Sequence, residues 1–80
     1  MPTDTFFNLS VEKRDKILDA AFTEFSTYTY EQSSIANIIK KAGIPRGSFY
    51  QYFEDKKDLY KYILEIIGQQ KYEMLLPIFA

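Results

Sequence analysis

The sequence contains neither cysteine nor histidine, and these two absences exclude several kinds of functional site. Without cysteine, the chain can form no disulfide framework and no thiolate metal site. Without histidine, it lacks the commonest metal ligand and the side chain most often used as a general base. Catalysis would have to depend on carboxylates, lysines and tyrosines, and the acids are scattered along amphipathic segments with no shared inward face. We therefore expect no enzyme, no bound metal and no cofactor.

Long hydrophobic runs are also missing, and glycine and proline are scarce, with three of each. No segment approaches the roughly 20 apolar residues that a membrane span requires. Residues 1–8 lack the basic region and the apolar core of a secretory signal. We therefore expect a cytoplasmic protein that does not enter a membrane. Hydrophobic residues make up 46% of the chain, which favours a packed domain over disorder.

Residues 33–53 predict two short helices separated by one sharp turn at Gly43. Either Ser33 or Ser34 supplies the hydroxyl that caps the first helix. Its apolar side chains fall within one narrow sector at helical spacing: Ile35, Ile38, Ile39 and Ala42. Gly43 follows, where helices commonly end in the left-handed conformation that costs glycine little.

The second helix is predicted from about Pro45 to Tyr52 or Phe53. Pro45 has a preset φ and no N–H, so it suits the first turn of a helix. Phe49 and Phe53 lie four residues apart, on the side that we expect to be buried. Two short helices around one turn are typical of a helix-turn-helix, whose second helix enters the DNA major groove. An ordinary helical hairpin is the alternative.

The other sides of this second helix carry few ordinary surface residues. Its outward and flanking positions are Arg46, Gly47, Ser48, Tyr50, Gln51 and Tyr52. Small and amide side chains can approach base edges, and phenol hydroxyls can donate to phosphates. Arg46 stands at the helix N-terminus, where it suits a phosphate or a base acceptor. For Tyr50 and Tyr52, half-buried packing in the core is the alternative.

The distribution of charge supports the same interpretation. The whole chain is slightly acidic, with a net charge of −1, which argues weakly against nucleic acid. Yet no acidic residue occurs between Glu31 and Glu54, a segment that contains Lys40, Lys41 and Arg46. A local cationic face is sufficient for phosphate contact. The alternative is a solvated face without a partner.

The remaining segments predict a helical scaffold. Ser10 can cap a helix from Val11 to about Thr27. Its apolar stripe consists of Ile17, Leu18, Ala21, Phe22 and Phe25. Its solvated side chains are Glu12, Lys13, Lys16, Asp19 and Glu24. Asp55 can cap a longer helix in which Leu59, Tyr62, Ile63, Ile66 and Ile67 continue at helical spacing.

Within these segments lies a family resemblance. The stretch SSIANIIKKAGIPRGSFYQYFEDKKDLY is similar to the DNA-binding signature of the TetR family of bacterial transcriptional regulators, and ILDAAFTEF resembles that family's first helix. The resemblance covers roughly Lys13 to Ile63. It implies DNA contacts at Ser34, Arg46, Gly47, Ser48, Tyr50, Tyr52 and Lys56, and a sequence-reading role for Gln51. Thr29 departs from the pattern because the family usually has glycine there.

The resemblance also implies an architecture: an all-α fold, with a three-helix helix-turn-helix bundle and a fourth, longer helix. We expect an N-terminal arm over residues 1–9, a DNA-binding domain over 10–54, and over 55–80 the fourth helix and the start of a link. The link would lead to a C-terminal domain absent from this chain, which in this family forms a homodimer and binds a small-molecule inducer. Apolar residues near the end would have lost partners there: Ile66, Ile67, Leu75, Leu76, Ile78 and Phe79.

The expected function is that of a transcriptional regulator, acting as a repressor on a palindromic double-stranded DNA operator. The competing hypothesis is a helical interaction module whose aromatic surface binds protein and not DNA. Burial of the face formed by Gly47, Ser48 and Gln51 would favour that module. DNA affinity that does not depend on salt would favour it too.

Overall fold

A computed structural model of the chain describes the backbone of residues 1–79 and the side chains of residues 1–68. Within residues 1–79, five helices follow one another: α1 (Asp4–Phe7), α2 (Val11–Thr27), α3 (Ile35–Ala42), α4 (Arg46–Tyr52) and α5 (Lys56–Phe79). No strand occurs within residues 1–79, so the predicted all-α class is confirmed. The three domain boundaries stay predictions. The expectation about Leu75, Leu76, Ile78 and Phe79 lies outside the residues whose side chains are described.

Helix α1 was not expected within the predicted N-terminal arm. The Thr3 hydroxyl caps it by accepting from the backbone N–H of Phe6. The Phe6 ring is almost wholly buried and lies 5.0 Å from the ring of Phe53, centroid to centroid. Thr3 also donates its backbone N–H to the Tyr52 carbonyl over 2.9 Å and its hydroxyl to the Gln51 carbonyl over 2.6 Å. The segment before α2 is therefore bound to the C-terminal end of α4.

Helix α2 begins after Ser10 and ends at Thr27, as predicted, and it packs against both α3 and α5. Among residues 1–68, the core contains ten buried apolar side chains: Phe6, Ile17, Ala20, Ala21, Ile38, Ala42, Phe49, Phe53, Leu59 and Ile63. Two predictions for α2 were wrong. Phe22 was placed in the apolar stripe but is 48% exposed, and Glu24 was placed in solvent but is buried.

The turn between α3 and α4 has the predicted geometry. Gly43 has φ 73° and ψ 33°, which is the left-handed conformation. The backbone N–H groups of Gly43 and Ile44 both donate to the Ile39 carbonyl, over 2.9 and 3.1 Å. This arrangement satisfies the end of α3 and redirects the chain within two residues. Pro45 was predicted to lie in the first turn of α4. It is instead the residue before that helix, with an extended ψ of 154°.

The connection from α2 to α3 is organised by Thr29, at the position where a glycine was the family expectation. Its hydroxyl and its carbonyl both accept from the backbone N–H of Gln32, and its carbonyl also accepts from that of Ser33. The Ser33 hydroxyl donates in turn to the Tyr30 carbonyl over 2.6 Å. A hydroxyl residue thus closes this turn with a negative φ, because no non-glycine residue among those described has a positive one.

Candidate nucleic-acid interface

One side of α4 is open to solvent and the other is fully buried. Arg46, Gly47 and Gln51 are exposed and Ser48 is half-buried. Phe49 and Phe53 have no exposed surface, as their spacing predicted. Because two whole aromatic rings anchor the short helix, its outward face is presented in a fixed orientation. The condition that would have favoured a protein-binding module, burial of this face, is therefore not met.

Gly47 leaves the outward face of α4 without a side chain at one exposed position. Apart from the local backbone of α4 and the two adjacent residues, a Cβ atom built at Gly47 would meet no described atom within 4 Å, so packing within the described chain does not require glycine there. The residue lies inside α4, where glycine weakens a helix by about 1 kcal/mol relative to alanine. The absence of a side chain therefore suits the close approach of something outside the described chain.

The two tyrosines on the flanks of α4 differ. Tyr50 is 49% exposed, with its ring set edge-on against Phe49. Tyr52 is half-buried and packs against the core, where its ring centroid lies 6.2 Å from that of Phe6. Of the two alternatives, a surface position applies to Tyr50, and half-buried packing in the core applies to the ring of Tyr52.

Ser34 lies at the start of α3, where it is held by a residue that the sequence reasoning misplaced. Its hydroxyl accepts from the backbone N–H of Asn37 over 3.2 Å and so caps the helix. The Glu24 carboxylate, from α2, accepts from the Ser34 backbone N–H over 2.8 Å and from the Asn37 side-chain amide over 3.1 Å. Glu24 stands seven residues after Ile17 and three after Ala21, and this spacing could have placed it on the buried side of α2.

Lys56 lies at the first position of α5 and is partly engaged within the chain. Its ammonium donates to the carbonyls of Tyr30, over 2.7 Å, and Ser33, over 3.1 Å. The same nitrogen lies 4.5 Å from the centroid of the Tyr30 ring, within cation–π distance. An ammonium group has three N–H donors, so these two hydrogen bonds leave one donor unused. Lys56 therefore joins α5 to the turn that precedes Ser34.

Among the residues whose side chains are described, the cations expected to face DNA form no ion pair. Lys40, Lys41 and Arg46 are exposed. Among the residues whose side chains are described, the only ion pair joins the N-terminal ammonium of Met1 to Asp58. Positive charge on α3 and α4 is therefore not neutralised by neighbouring acids and is available to an anionic partner.

A metal site and a membrane span each place requirements on the described part of the chain. Among those residues, no group of three or more acidic side chains is arranged to hold a metal ion. None of the described helices combines the length and apolar character that crossing a membrane requires.

Known proteins share the segment of the chain that contains α3 and α4. The sequence model described as "Bacterial regulatory proteins, tetR family" matches residues 17–63, which is more than half of the chain. A crystal structure of a TetR family transcriptional regulator from Chloroflexus aurantiacus superposes with a TM-score of 0.89 and 49% sequence identity, over 94% of this chain and 35% of that one.

Two relatives with similar sequences are named as HTH-type transcriptional regulators. The HTH-type transcriptional regulator AcrR of Shigella flexneri is 42% identical over 55 residues, which are 69% of this chain and 26% of that protein. The biofilm operon icaADBC HTH-type negative transcriptional regulator IcaR of Staphylococcus aureus is 38% identical over 48 residues, or 60% of this chain and 26% of IcaR. The matched part thus spans about a quarter of the length of these relatives.

Proposed function

The chain belongs to the TetR family of bacterial regulatory proteins, and on this premise we propose that it binds double-stranded DNA sequence-specifically and regulates transcription. The observation that carries the proposal is the solvent-facing side of α4, which Phe49 and Phe53 anchor from behind. This surface lies within the acid-free segment between Glu31 and Glu54. A short exposed helix without negative charge can enter a major groove with little electrostatic cost.

Base recognition is proposed for the residues of α4 that face outward. Arg46 and Gln51 are exposed and carry the donors that pair with guanine or adenine edges, and the Ser48 hydroxyl suits either donor or acceptor. Gly47 allows the helix backbone to lie close to the bases, since no Cβ stands between them. Gln51 is central to this face and is expected to contribute most to sequence preference.

Phosphate contacts are proposed for the residues that surround this face. Tyr50 and Tyr52 carry hydroxyls on opposite flanks of α4, and Ser34 lies at the N-terminus of α3. Lys56 has a third N–H beyond the two that donate within the chain. Phosphate contacts set the position of a protein on DNA without reading its sequence. The internal hydrogen bonds of Lys56 and Glu24 would then fix the position at which Ser34 contacts the DNA backbone.

The longer protein would work as a pair of such domains. We propose a homodimer formed through a domain outside this chain, which binds a palindromic operator with half-sites about one helical turn apart. We further propose repression that ends when the same domain binds a small-molecule inducer, in the bacterial cytoplasm. The printed name of IcaR, a negative regulator, supports repression over activation.

The test is a selection of bound sites from random DNA, followed by titrations of the selected duplex over a range of salt. About three phosphate contacts by one domain predict a slope of log affinity against log salt near −3. Gln51→Ala should relax the preference at one or two base pairs, by about 1–3 kcal/mol if its contact is bidentate. Binding that is independent of salt, or selection that enriches no site, would reject the proposal in favour of a protein-binding module.

A further inference from the structure

A groove lies between the N-terminal half of α2 on one side and the α3–α4 turn together with α4 on the other. Its volume is about 340 Å³, which is ample for a phosphate group. Lys13 and Lys16 line it from α2, and Ser48 and Tyr52 line it from α4. Gly43 and Pro45 form its third side, from the turn. The groove therefore borders the face that we propose to read DNA.

The lining of this groove is unusual in its charge. It contains two lysines and no acidic residue. The groove between α2 and α5 is lined by Asp15 and Asp19 and has no cation in its lining. The groove beside Met1 has lysines, but they are accompanied by Glu54, Asp55 and Asp58. Of these three surface grooves, the one beside α4 is thus the one whose charge is wholly positive.

Lys13 and Lys16 are both exposed and lie one turn apart on the same side of α2. Neither forms an ion pair with any residue whose side chain is described. Two acids could share the side of the helix that carries Lys16: Glu12, four residues before it, and Asp19, three residues after it. Neither lies within ion-pair distance of Lys16, and Asp19 lines the other groove. Both ammonium groups therefore remain available to a ligand.

Ser48 and Tyr52 lie four residues apart, so they share one flank of α4, while Tyr50 occupies the opposite flank. A helix in a major groove has a phosphate backbone along each flank. The flank with Ser48 and Tyr52 faces the two lysines of α2 across the groove. A DNA strand that follows this flank would pass the groove opening.

We propose that Lys13 and Lys16 bind phosphodiester groups of the DNA strand that runs beside the Ser48 and Tyr52 flank of α4. The inference rests on the proposed function and extends its contact surface to α2, which the sequence indicated only as scaffold. Each lysine acts as a flexible point charge that needs no fixed geometry to neutralise a phosphate. Its contribution to affinity is the release of condensed counterions from the DNA.

The experiment measures the affinity of the 80-residue chain for a mixed-sequence duplex of about two helical turns, between about 50 and 200 mM salt. Lys13→Ala and Lys16→Ala should each reduce the magnitude of the log–log salt slope by about 1, and the double variant by about 2. Lys16→Arg should keep the slope of the parent. Because both side chains are exposed, thermal melts of the variants should match that of the parent.

Lys61→Ala is the matched control, since it removes the same charge from α5, beside Glu54 and Asp58. Its slope should equal that of the parent. Unchanged slopes for Lys13→Ala and Lys16→Ala would overturn the inference while leaving the proposed function intact. Equal losses in all three alanine variants would overturn it as well, because net charge and not the groove would be responsible. A parent that shows no salt-dependent binding would overturn the proposed function together with this inference.

Discussion

The carboxylate of Glu24 accepts a hydrogen bond from the backbone N–H of Ser34 over 2.8 Å, across ten residues of chain. The same oxygen accepts from the Asn37 side chain, so one buried acid of α2 holds the first turn of α3. Helix N-termini favour a negative partner because their first N–H groups have no acceptor within the helix. Glu24 thus connects the scaffold to the segment that carries Ser34.

Glu24→Ala is expected to destabilise the domain by about 1–3 kcal/mol, because the Ser34 N–H and the Asn37 amide would lose their acceptor. Denaturant unfolding measures this loss. Glu24→Gln retains one acceptor oxygen and should lose less. A Glu24→Ala protein with the unfolding midpoint of the parent would show that water replaces the carboxylate at no cost.

Lys56→Ala should lower both stability and DNA affinity. Two carbonyls would lose a charged donor, which we expect to cost about 1 kcal/mol or more at this half-buried position. Tyr50→Phe is the comparison, since it removes only an exposed hydroxyl and should weaken DNA binding without changing the melting temperature. Both variants should act alike on unrelated DNA sequences, because phosphate contacts carry no sequence information. A Lys56→Ala melt equal to that of the parent would contradict the internal role of this lysine.

Substitutions at the two glycines of the helix-turn-helix should have different consequences. Gly43→Val should destabilise the domain by at least about 1–2 kcal/mol, because a β-branched residue is strained at φ 73° even though the space is open. Gly47→Ala should stabilise it by up to about 1 kcal/mol, since alanine favours helix and its methyl meets no described atom beyond the local helix.

The DNA titrations of these glycine variants complete the comparison. The Gly47→Ala methyl would stand between α4 and the bases, so its affinity for DNA should fall while its melting temperature rises. Gly43→Val should lose stability and affinity together. A Gly47→Ala protein that binds DNA as tightly as the parent would show that this face does not closely approach DNA.

Acid should weaken the contact between the N-terminus and α5. Burial alone would raise the pKa of Asp58, but hydrogen bonds from the N-terminal ammonium and from the Glu54 N–H, together with the charge of Lys61, bring this pKa below its ordinary value. Because the pKa is lower in the folded than in the unfolded chain, ionised Asp58 stabilises the fold at neutral pH. This stability is lost as pH falls through the folded-state pKa.

Asp58→Asn tests this linkage. Unfolding midpoints measured from neutral to acidic pH should be lower for the variant at neutral pH. The gap between variant and parent should close in acid, where the parent also becomes uncharged at this position. Curves that stay parallel at all pH values would show that Asp58 contributes no pH-dependent stability.

Most of the α3–α4 region could be predicted from the sequence because its determinants are local. The apolar spacing of Ile38 and Ala42 defines a buried helix face, and a glycine after the last periodic residue defines the end of that helix. Phe49 of α4 and Phe53, the residue directly after it, follow from the same periodicity. Each of these features depends on residues no more than about five positions apart, so one segment contains all the information.

The sequence by itself therefore determined the all-α class, the turn at Gly43 and the acid-free face of α4. Only the tertiary structure decided which polar groups meet across distant segments. Glu24 reaches Ser34, Lys56 reaches Tyr30 and Ser33, and Phe6 is buried beside Phe53. Helical periodicity assigns a side chain to a face but not to a partner, and a lone carboxylate or ammonium appears solvated until another helix covers it. For the same physical reason, the groove that places Lys13 and Lys16 beside Tyr52 exists only once α2 has packed against α3.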